Sequence, residues 1–373
     1  MSRRSVPPFR ADHVGSLLRP PELLEARSRH QAGELGDEEL RQVEDEAVRG
    51  AVRKQESIGL QSATDGEFRR ASWHMDFLTQ LGGVTKVTDT GLVVHFRNAS
   101  GQVDAALPSV HIDARIHLDH PIFADAFRFL QETVTTATPK LTIPSPSMLH
   151  YRGGRASIDP ALYPDLDQFW EDLSGAYRDE IAALSAQGCT YLQLDDTSLA
   201  YLNDPAQRAM LAGRGDDAEH QHLRYIQQIN KALEGRPPSL TVTTHMCRGN
   251  FRSSWTAEGG YDFVAEALFN ELGVDGFFLE YDDPRSGSFE PLRFVPPGKL
   301  VVLGLVTTKR GRLETKDALK RRFEEASRYV PLEQLCLSPQ CGFSSTVEGN
   351  VLTQDEQWAK LQLIVEVARE VWG

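Results

Sequence analysis

From residue 120 onward the chain repeats one unit: a short, almost unbroken apolar run, then a stretch with helical spacing. The apolar runs are KLTIPSP at 140–146, YLQLDD at 191–196, SLTVTTHM at 239–246, GFFLEYDD at 276–283, KLVVLGLV at 299–306 and QLCLSPQCGF at 334–343. Runs rich in Leu and β-branched residues fit strands covered on both faces, as parallel strands are. The helical stretches that follow them cover 165–187, 205–212 with 217–234, 257–272, 287–293, 315–329 and 353–371. Two further units fit before residue 80. DHVGS at 12–16 precedes helices at 20–31 and 37–58, and LQSATDGE at 60–67 gives a second strand. Eight βα units predict a TIM (β/α)8 barrel spanning 1–373 as a single domain. An open doubly wound sheet is the runner-up, but no Gly-rich phosphate loop follows the first strand.

Residues 82–118 break the rhythm. They read as a β-hairpin or small antiparallel insert after strand two, with turns at VTDTGL and RNASGQ. Such an insert could cap the barrel mouth, mediate contact in a homodimer, or decorate the surface.

The net charge of −13 argues against a nucleic-acid partner, because no basic stripe offsets it. No apolar run is long enough to span a membrane, and the N-terminus lacks the apolar core of a secretory signal. Four cysteines in 373 residues do not make a disulfide framework. Cys189 and Cys336 lie in apolar contexts and read as buried core thiols. Reduced thiols point to the cytoplasm.

Cys247 and Cys341 read differently. They sit among polar and Gly residues at the other end of their strands. With His245 in TVTTHMCRGNF and Glu280 in GFFLEYDD, they form a set of potential soft-metal ligands at strand ends. Residues i and i+2 of a strand face the same side, so His245 and Cys247 project together. Active sites of this fold lie at the C-terminal rim of the strands. Core packing explains any one of the four, but not all four at one rim. Two thiolates, an imidazole and a carboxylate suit Zn²⁺. With those ligands the site carries a formal charge of about −1, and a coordinating thiol loses its proton. That chemistry points to alkyl transfer onto sulfur, with Glu280 as the candidate ligand for displacement.

Other rim residues suit an amino-acid substrate. Glu67 and Asp195 could accept hydrogen bonds from its ammonium. Ser16 and the Gly15–Ser16 amides could donate to its carboxylate. The bland reading of Asp195–Asp196 is a helix N-cap beside a solvated neighbour. Asp65 and Glu67 could instead be the acid pair of a barrel glycosidase. That reading leaves His245 and both rim cysteines unexplained. A metal-storage or regulatory barrel would bear the cost of a buried acidic rim with no ligand to offset it.

The segments FRADHVGSLLRP, ATDGEFRR, YLQLDDTSLAYL, THMCRGNF, FFLEYDD and LSPQCGF together resemble the catalytic half of cobalamin-independent methionine synthase, and more closely its short single-barrel relatives. The resemblance covers most of residues 10–370. It implies catalytic zinc on His245, Cys247, Glu280 and Cys341. It also implies that Glu67 and Asp195 hold the amino group of homocysteine and that Val14–Gly15–Ser16 meets its carboxylate. The thiol would then attack a methyl group. Two departures stand out. The family's Asp-x-His relay, which protonates the folate leaving group, falls at Val306–Thr307–Thr308–Lys309, with Lys309 at or near the histidine and so the candidate catalytic proton donor. Where the family stacks a tryptophan on the pterin, this chain reads PSPSMLH. Thiol activation is therefore expected intact, with methylfolate handling altered, and the donor is methylfolate, a methylcorrinoid or a small methyl compound. A relative on the same plan, the epoxyalkane:coenzyme M transferase, activates a thiol that is not an amino acid. Glu67 and Asp195 favour homocysteine over that thiol.

Overall fold

The computed structural model describes residues 4–88, 93–98 and 101–373. Its centre is a six-stranded, wholly parallel sheet. In spatial order the strands are Leu335–Pro339, Leu300–Val306, Gly276–Glu280, Thr241–Met246, Tyr191–Asp196 and Leu141–Pro144. Each strand pairs with its neighbour in sequence, and nearly every residue in them is buried. This is the burial expected of strands covered on both faces. The covering layer is helical. Leu166–Ala186 starts at an Asp165 N-cap and buries Phe169, Leu173, Tyr177, Ile181 and Leu184 along one stripe. Gln354–Trp372 starts at a Thr353–Glu356 capping box.

Further segments extend the sheet at both edges. Ala11 bridges in parallel to Leu337, with Asp12 N–H to Leu337 O at 3.0 Å. At the other edge Ser62–Ala63 pairs in parallel with Thr138–Pro139, and Lys140 N–H reaches Ala63 O at 2.9 Å. These two outer segments meet through Leu17 N–H to Gly66 O at 3.0 Å and Ser62 Oγ to Asp12 Oδ1 at 2.8 Å.

The outer segments are less regular than the sequence predicts. Residues 12–16 form no continuous strand. Their carbonyls take side-chain donors instead of a neighbouring ladder. Lys140 Nζ donates to His13 O, Gln193 Nε2 to Val14 O at 2.7 Å and Thr64 Oγ1 to Gly15 O at 2.6 Å. The strand expected over 60–67 shrinks to Ser62–Ala63, because the Gln55 amide satisfies both backbone groups of Thr64. The helix expected over 257–272 is only Ala265–Glu271. Ahead of it, Ala257 N–H turns back to Arg248 O and Gly259, at φ +110°, donates to Arg285 O. The 287–293 helix is a pair of 3-10 turns, Pro284–Ser286 and Glu290–Phe294. Helices Ala124–Thr133 and Ser147–Gly153 were not anticipated.

Within 82–118 two antiparallel pairs form: Gly82–Val87 with Ser109–His117, and Val93–Asn98 with Gly101–Ala106. Most of the predicted VTDTGL turn and the centre of RNASGQ, residues 89–92 and 99–100, fall outside the described residues. Arg97 exchanges backbone hydrogen bonds with Trp255 at 2.7 and 2.8 Å, tying this region to the loop after Thr241–Met246. Among the described residues no helix is long and apolar enough to cross a membrane.

Candidate metal centre and its cavity

Parallel register brings His245 beside Asp195 on one neighbour and Phe278 on the other, so both polar side chains reach the same rim. Cys247 lies just past Met246, where its N–H donates to Asp196 O at 2.8 Å. Glu280 ends its strand, and Cys341 follows the last strand. The structure gathers all four. Their ligand atoms lie within 4.8 Å of one another, and every residue is buried. Cys247 Sγ and Cys341 Sγ are 3.4 Å apart.

Cys247 donates to Cys341 and holds that thiol well below its usual range; His245 acts in the same direction against the effect of burial. The same bond, together with burial, pushes Cys247 up. Burial disfavours a charged His245 ring, but Cys341 and the nearby carboxylates outweigh it and raise the imidazole. Burial also raises Glu280.

These residues fit a metal. Both ring nitrogens of His245 and Oε2 of Glu280 are buried with no hydrogen-bond partner among the described residues. Such orphaned atoms are costly unless something satisfies them. Glu280 Oε1 accepts from Arg248 N–H at 2.9 Å, which fixes the carboxylate, while Oε2 makes no hydrogen bond and lies 3.7 Å from Arg285 Nη2.

The group opens onto a cavity of about 240 Å³. Val14, Ser16, Glu67 and Asp195 line it together with His245, Cys247 and Cys341. Gln193 Nε2 holds Asp195 Oδ1 at 2.6 Å, and burial raises that carboxyl to about 7. Glu67 is also raised, chiefly by burial. It sits at φ +59°, a strained conformation for a side-chain-bearing residue. Asp65 Oδ1 takes its N–H at 2.9 Å and Arg19 Nη2 donates to its carbonyl at 2.9 Å, so the turn is held from both sides. Thr142 Oγ1 donates to Glu67 Oε1 at 3.1 Å, while Oε2 has no hydrogen bond. Gly15 has φ +147°, and a Cβ there would lie 2.8 Å from Thr142 Cγ2. Ser16 Oγ accepts from Ser344 N–H at 3.3 Å.

Other sequence readings separate. Asp196 takes Ser198 Oγ, Leu199 N–H and Ser147 Oγ at 2.7–2.9 Å, which is a structural cap, while its neighbour Asp195 faces the cavity. Asp65 does not line the cavity, which removes the paired acids of the glycosidase reading. Lys309 does not line it either. Its Nζ is buried without a partner, and its charge acts on Glu280 and Cys341. His150, in PSPSMLH, points away from the cavity, with Nδ1 3.0 Å from Tyr225 Oη and its ring 5.0 Å from Trp170. Sequence reasoning missed Trp73, Phe96, Arg152 and Phe251, which also line the cavity. They lie on loops, a short helix and the antiparallel insert, where no sequence pattern shows which side meets the cavity.

Comparison with known proteins decides the family. Residues 9–370 match the model of the cobalamin-independent synthase catalytic domain. This chain belongs to that family. Within it, the chain is 49% identical to the uncharacterized protein YxjG of Bacillus subtilis over 373 residues, covering 99% of this chain and 96% of that one. It is 47% identical to YxjH of the same organism over 368 residues, covering 98% and 95%. A crystal structure from Listeria monocytogenes, provisionally assigned as a vitamin-B12-independent methionine synthase, superposes with a TM-score of 0.79 at 40% identity. That match covers 99% of this chain and all of the other. Membership of the synthase family supports a methyltransferase of the methionine synthase type.

Proposed function

We propose that this chain is a zinc-dependent methyltransferase that transfers a methyl group to the thiol of homocysteine, giving methionine. The observation that carries the reading is the joining of the His245–Cys247–Glu280–Cys341 group and two carboxylates, Glu67 and Asp195, in one cavity. The six-stranded sheet and its linked outer segments are read as a closed (β/α)8 barrel, a single domain with 82–118 as its insert. Free cysteines throughout fit a reducing compartment, the cytoplasm.

His245, Cys247, Glu280 and Cys341 would hold Zn²⁺. When bound, zinc supplies an acid that keeps a substrate thiol deprotonated at neutral pH. The remaining work falls to the chain. Glu67 Oε2 and Asp195 accept hydrogen bonds from the substrate ammonium, whose charge favours both carboxylates in their ionised form. Ser16 and the Val14–Gly15–Ser16 backbone meet the substrate carboxylate. Lys309 balances the anionic ligand group from outside the cavity. With no histidine at the relay position and His150 turned away, the reading favours a donor whose leaving group departs without a proton. A methylcorrinoid is one such donor, and methylfolate is not.

The test is calorimetry of the zinc-loaded protein with homocysteine and, separately, with 2-mercaptoethanesulfonate. Homocysteine should bind at least about tenfold more tightly, given the charged hydrogen bonds its ammonium gains. Equal binding of the sulfonate thiol would replace homocysteine with the coenzyme M type of acceptor.

A further inference from the structure

The cavity lining has a second set of residues that the homocysteine reading does not use. Trp73, Phe96 and Phe251 supply aromatic faces, and Arg152 supplies a guanidinium. Phe96 comes from the antiparallel insert and packs on Phe251 with ring centroids 5.2 Å apart. The Arg97–Trp255 backbone pair holds that strand in place, so the insert forms a wall of the reaction cavity.

Arg152 stands near the end of the Ser147–Gly153 helix. No ion pair and no side-chain hydrogen bond joins it to any described residue, and its Nε is buried without a partner. Its charge is felt by His74 and Tyr201, which also line the cavity. A partly desolvated guanidinium with no counter-ion is costly, and a ligand carboxylate satisfies its fork-shaped donor set. The volume, about 240 Å³, is below the range of roughly 300–1,000 Å³ found for drug-sized ligands. It suits small reactants.

The groups in the cavity that could protonate a basic leaving group are taken by the acceptor reading, Glu67 and Asp195 by its ammonium and His245 by the metal. Thr308 Oγ1 is engaged with Gln340 Oε1 at 3.0 Å, and Lys309 does not reach the cavity. Burial holds His74 well below the usual histidine range, so at neutral pH its ring is uncharged and a poor acid. Aromatic faces, by contrast, attract an onium charge.

We propose that the methyl donor is a small carboxylated methylsulfonium, with its carboxylate on Arg152 and its sulfonium against the Trp73, Phe96 and Phe251 rings. This rests on the homocysteine reading above. The acceptor thiol gives up its proton on binding, and its sulfur attacks the methyl carbon. One sulfur–carbon bond forms as the methyl–sulfonium bond breaks. The electron pair stays on the donor sulfur, which leaves as a neutral thioether. Thiolate and sulfonium charges cancel, and the step needs no proton and no redox partner.

The experiment is calorimetry of the zinc-loaded protein with dimethylsulfonioacetate, followed by product analysis with homocysteine present. Saturable binding is expected, weakened about tenfold or more in Arg152→Gln and largely restored in Arg152→Lys. Phe96→Leu should weaken it by about threefold or more. The methyl ester of the same sulfonium should bind the native protein about as weakly as the acid binds Arg152→Gln. Methionine and methylthioacetate should form in equal amounts. If homocysteine binds but the sulfonium does not, or binds Arg152→Gln equally well, the donor assignment is wrong and the acceptor reading stands. Methionine formed from methylcobalamin or methyltetrahydrofolate but not from the sulfonium overturns it in the same way. If homocysteine itself does not bind, both readings fall together.

Discussion

The two halves of the rim reach the same cavity by opposite means. In the C-terminal half, His245 and Glu280 stand on regular parallel strands, and Cys247 and Cys341 follow directly from strand ends. Backbone ladders do most of the placing, with Tyr261 and the Arg248 N–H steadying Glu280. In the N-terminal half, Ser16 and Glu67 stand on irregular backbone held by side chains. Lys140, Gln193 and Thr64 satisfy the carbonyls of 13–15, while Asp65 and Arg19 hold the strained turn at Glu67. The first arrangement puts soft ligands together with little local strain. The second leaves Glu67 Oε2 without a hydrogen bond, 3.8 Å from Arg70 Nη1, and it depends on many supporting residues. Ligand variants in the C-terminal half should therefore lose metal while keeping the fold. Supporting variants in the N-terminal half should lose both stability and substrate affinity.

The largest expected effect is on metal. Cys247→Ser or Cys341→Ser should lower zinc affinity by at least about 100-fold, beyond the usual cost of losing an outer-shell partner. Metal analysis after dialysis against a chelator reads this directly, and circular dichroism should show the fold retained. Full zinc retention in both variants would break the ligand assignment.

Next come the carboxylates. Glu67→Gln and Asp195→Asn should each weaken homocysteine binding by about 1–3 kcal/mol while leaving zinc content unchanged. Loss of zinc in either variant would blur the division between the halves. At a similar scale, Gly15→Ala must enter a left-handed conformation and crowd Thr142, so it should lower stability by about 1–3 kcal/mol in a denaturant titration. An unchanged midpoint would show that the N-terminal segment is less constrained than its geometry implies.

A further effect lies outside both halves. Glu180 accepts from Ile122 N–H at 2.8 Å, and burial raises its carboxyl to about 8. A folded-state value above the unfolded value of about 4.3 means its contribution is most favourable at low pH. That contribution should decline as pH rises from about 4 through about 8. Glu180→Gln should flatten this part of the stability–pH profile, and an unaltered slope would contradict the sign.

These contrasts also explain what the sequence made legible. The clustering of His245, Cys247, Glu280 and Cys341 could be read because strand periodicity and strand ends fix where they point. The six central strands could be read for the same reason: Leu and β-branched runs such as LVVLGLV need cover on both faces. Residues 12–16 and 60–67 do bring Ser16 and Glu67 to the cavity, but they read as strands. Their backbone partners are side chains remote in sequence, such as Gln55 and Gln193, and no local pattern reports these. Arg152 was invisible because a lone arginine on a short helix carries no period, and Phe96 because the alternation of VVHFRNAS does not say which element its buried face meets. Only the fold shows that they share the cavity. Asp195 and Asp196 could be named as a pair, but which one faces the site depended on the cap that Asp196 gives to Ser198 and Leu199.

The central claim is that a metal on the C-terminal quartet receives the thiol of an amino acid held by the N-terminal half. Zinc K-edge X-ray absorption of the zinc-loaded protein, with and without homocysteine, tests this most directly. The account predicts that homocysteine adds one sulfur scatterer to the metal shell and that Asp195→Asn needs a higher homocysteine concentration for the same change. An unchanged metal shell at saturating homocysteine would contradict it.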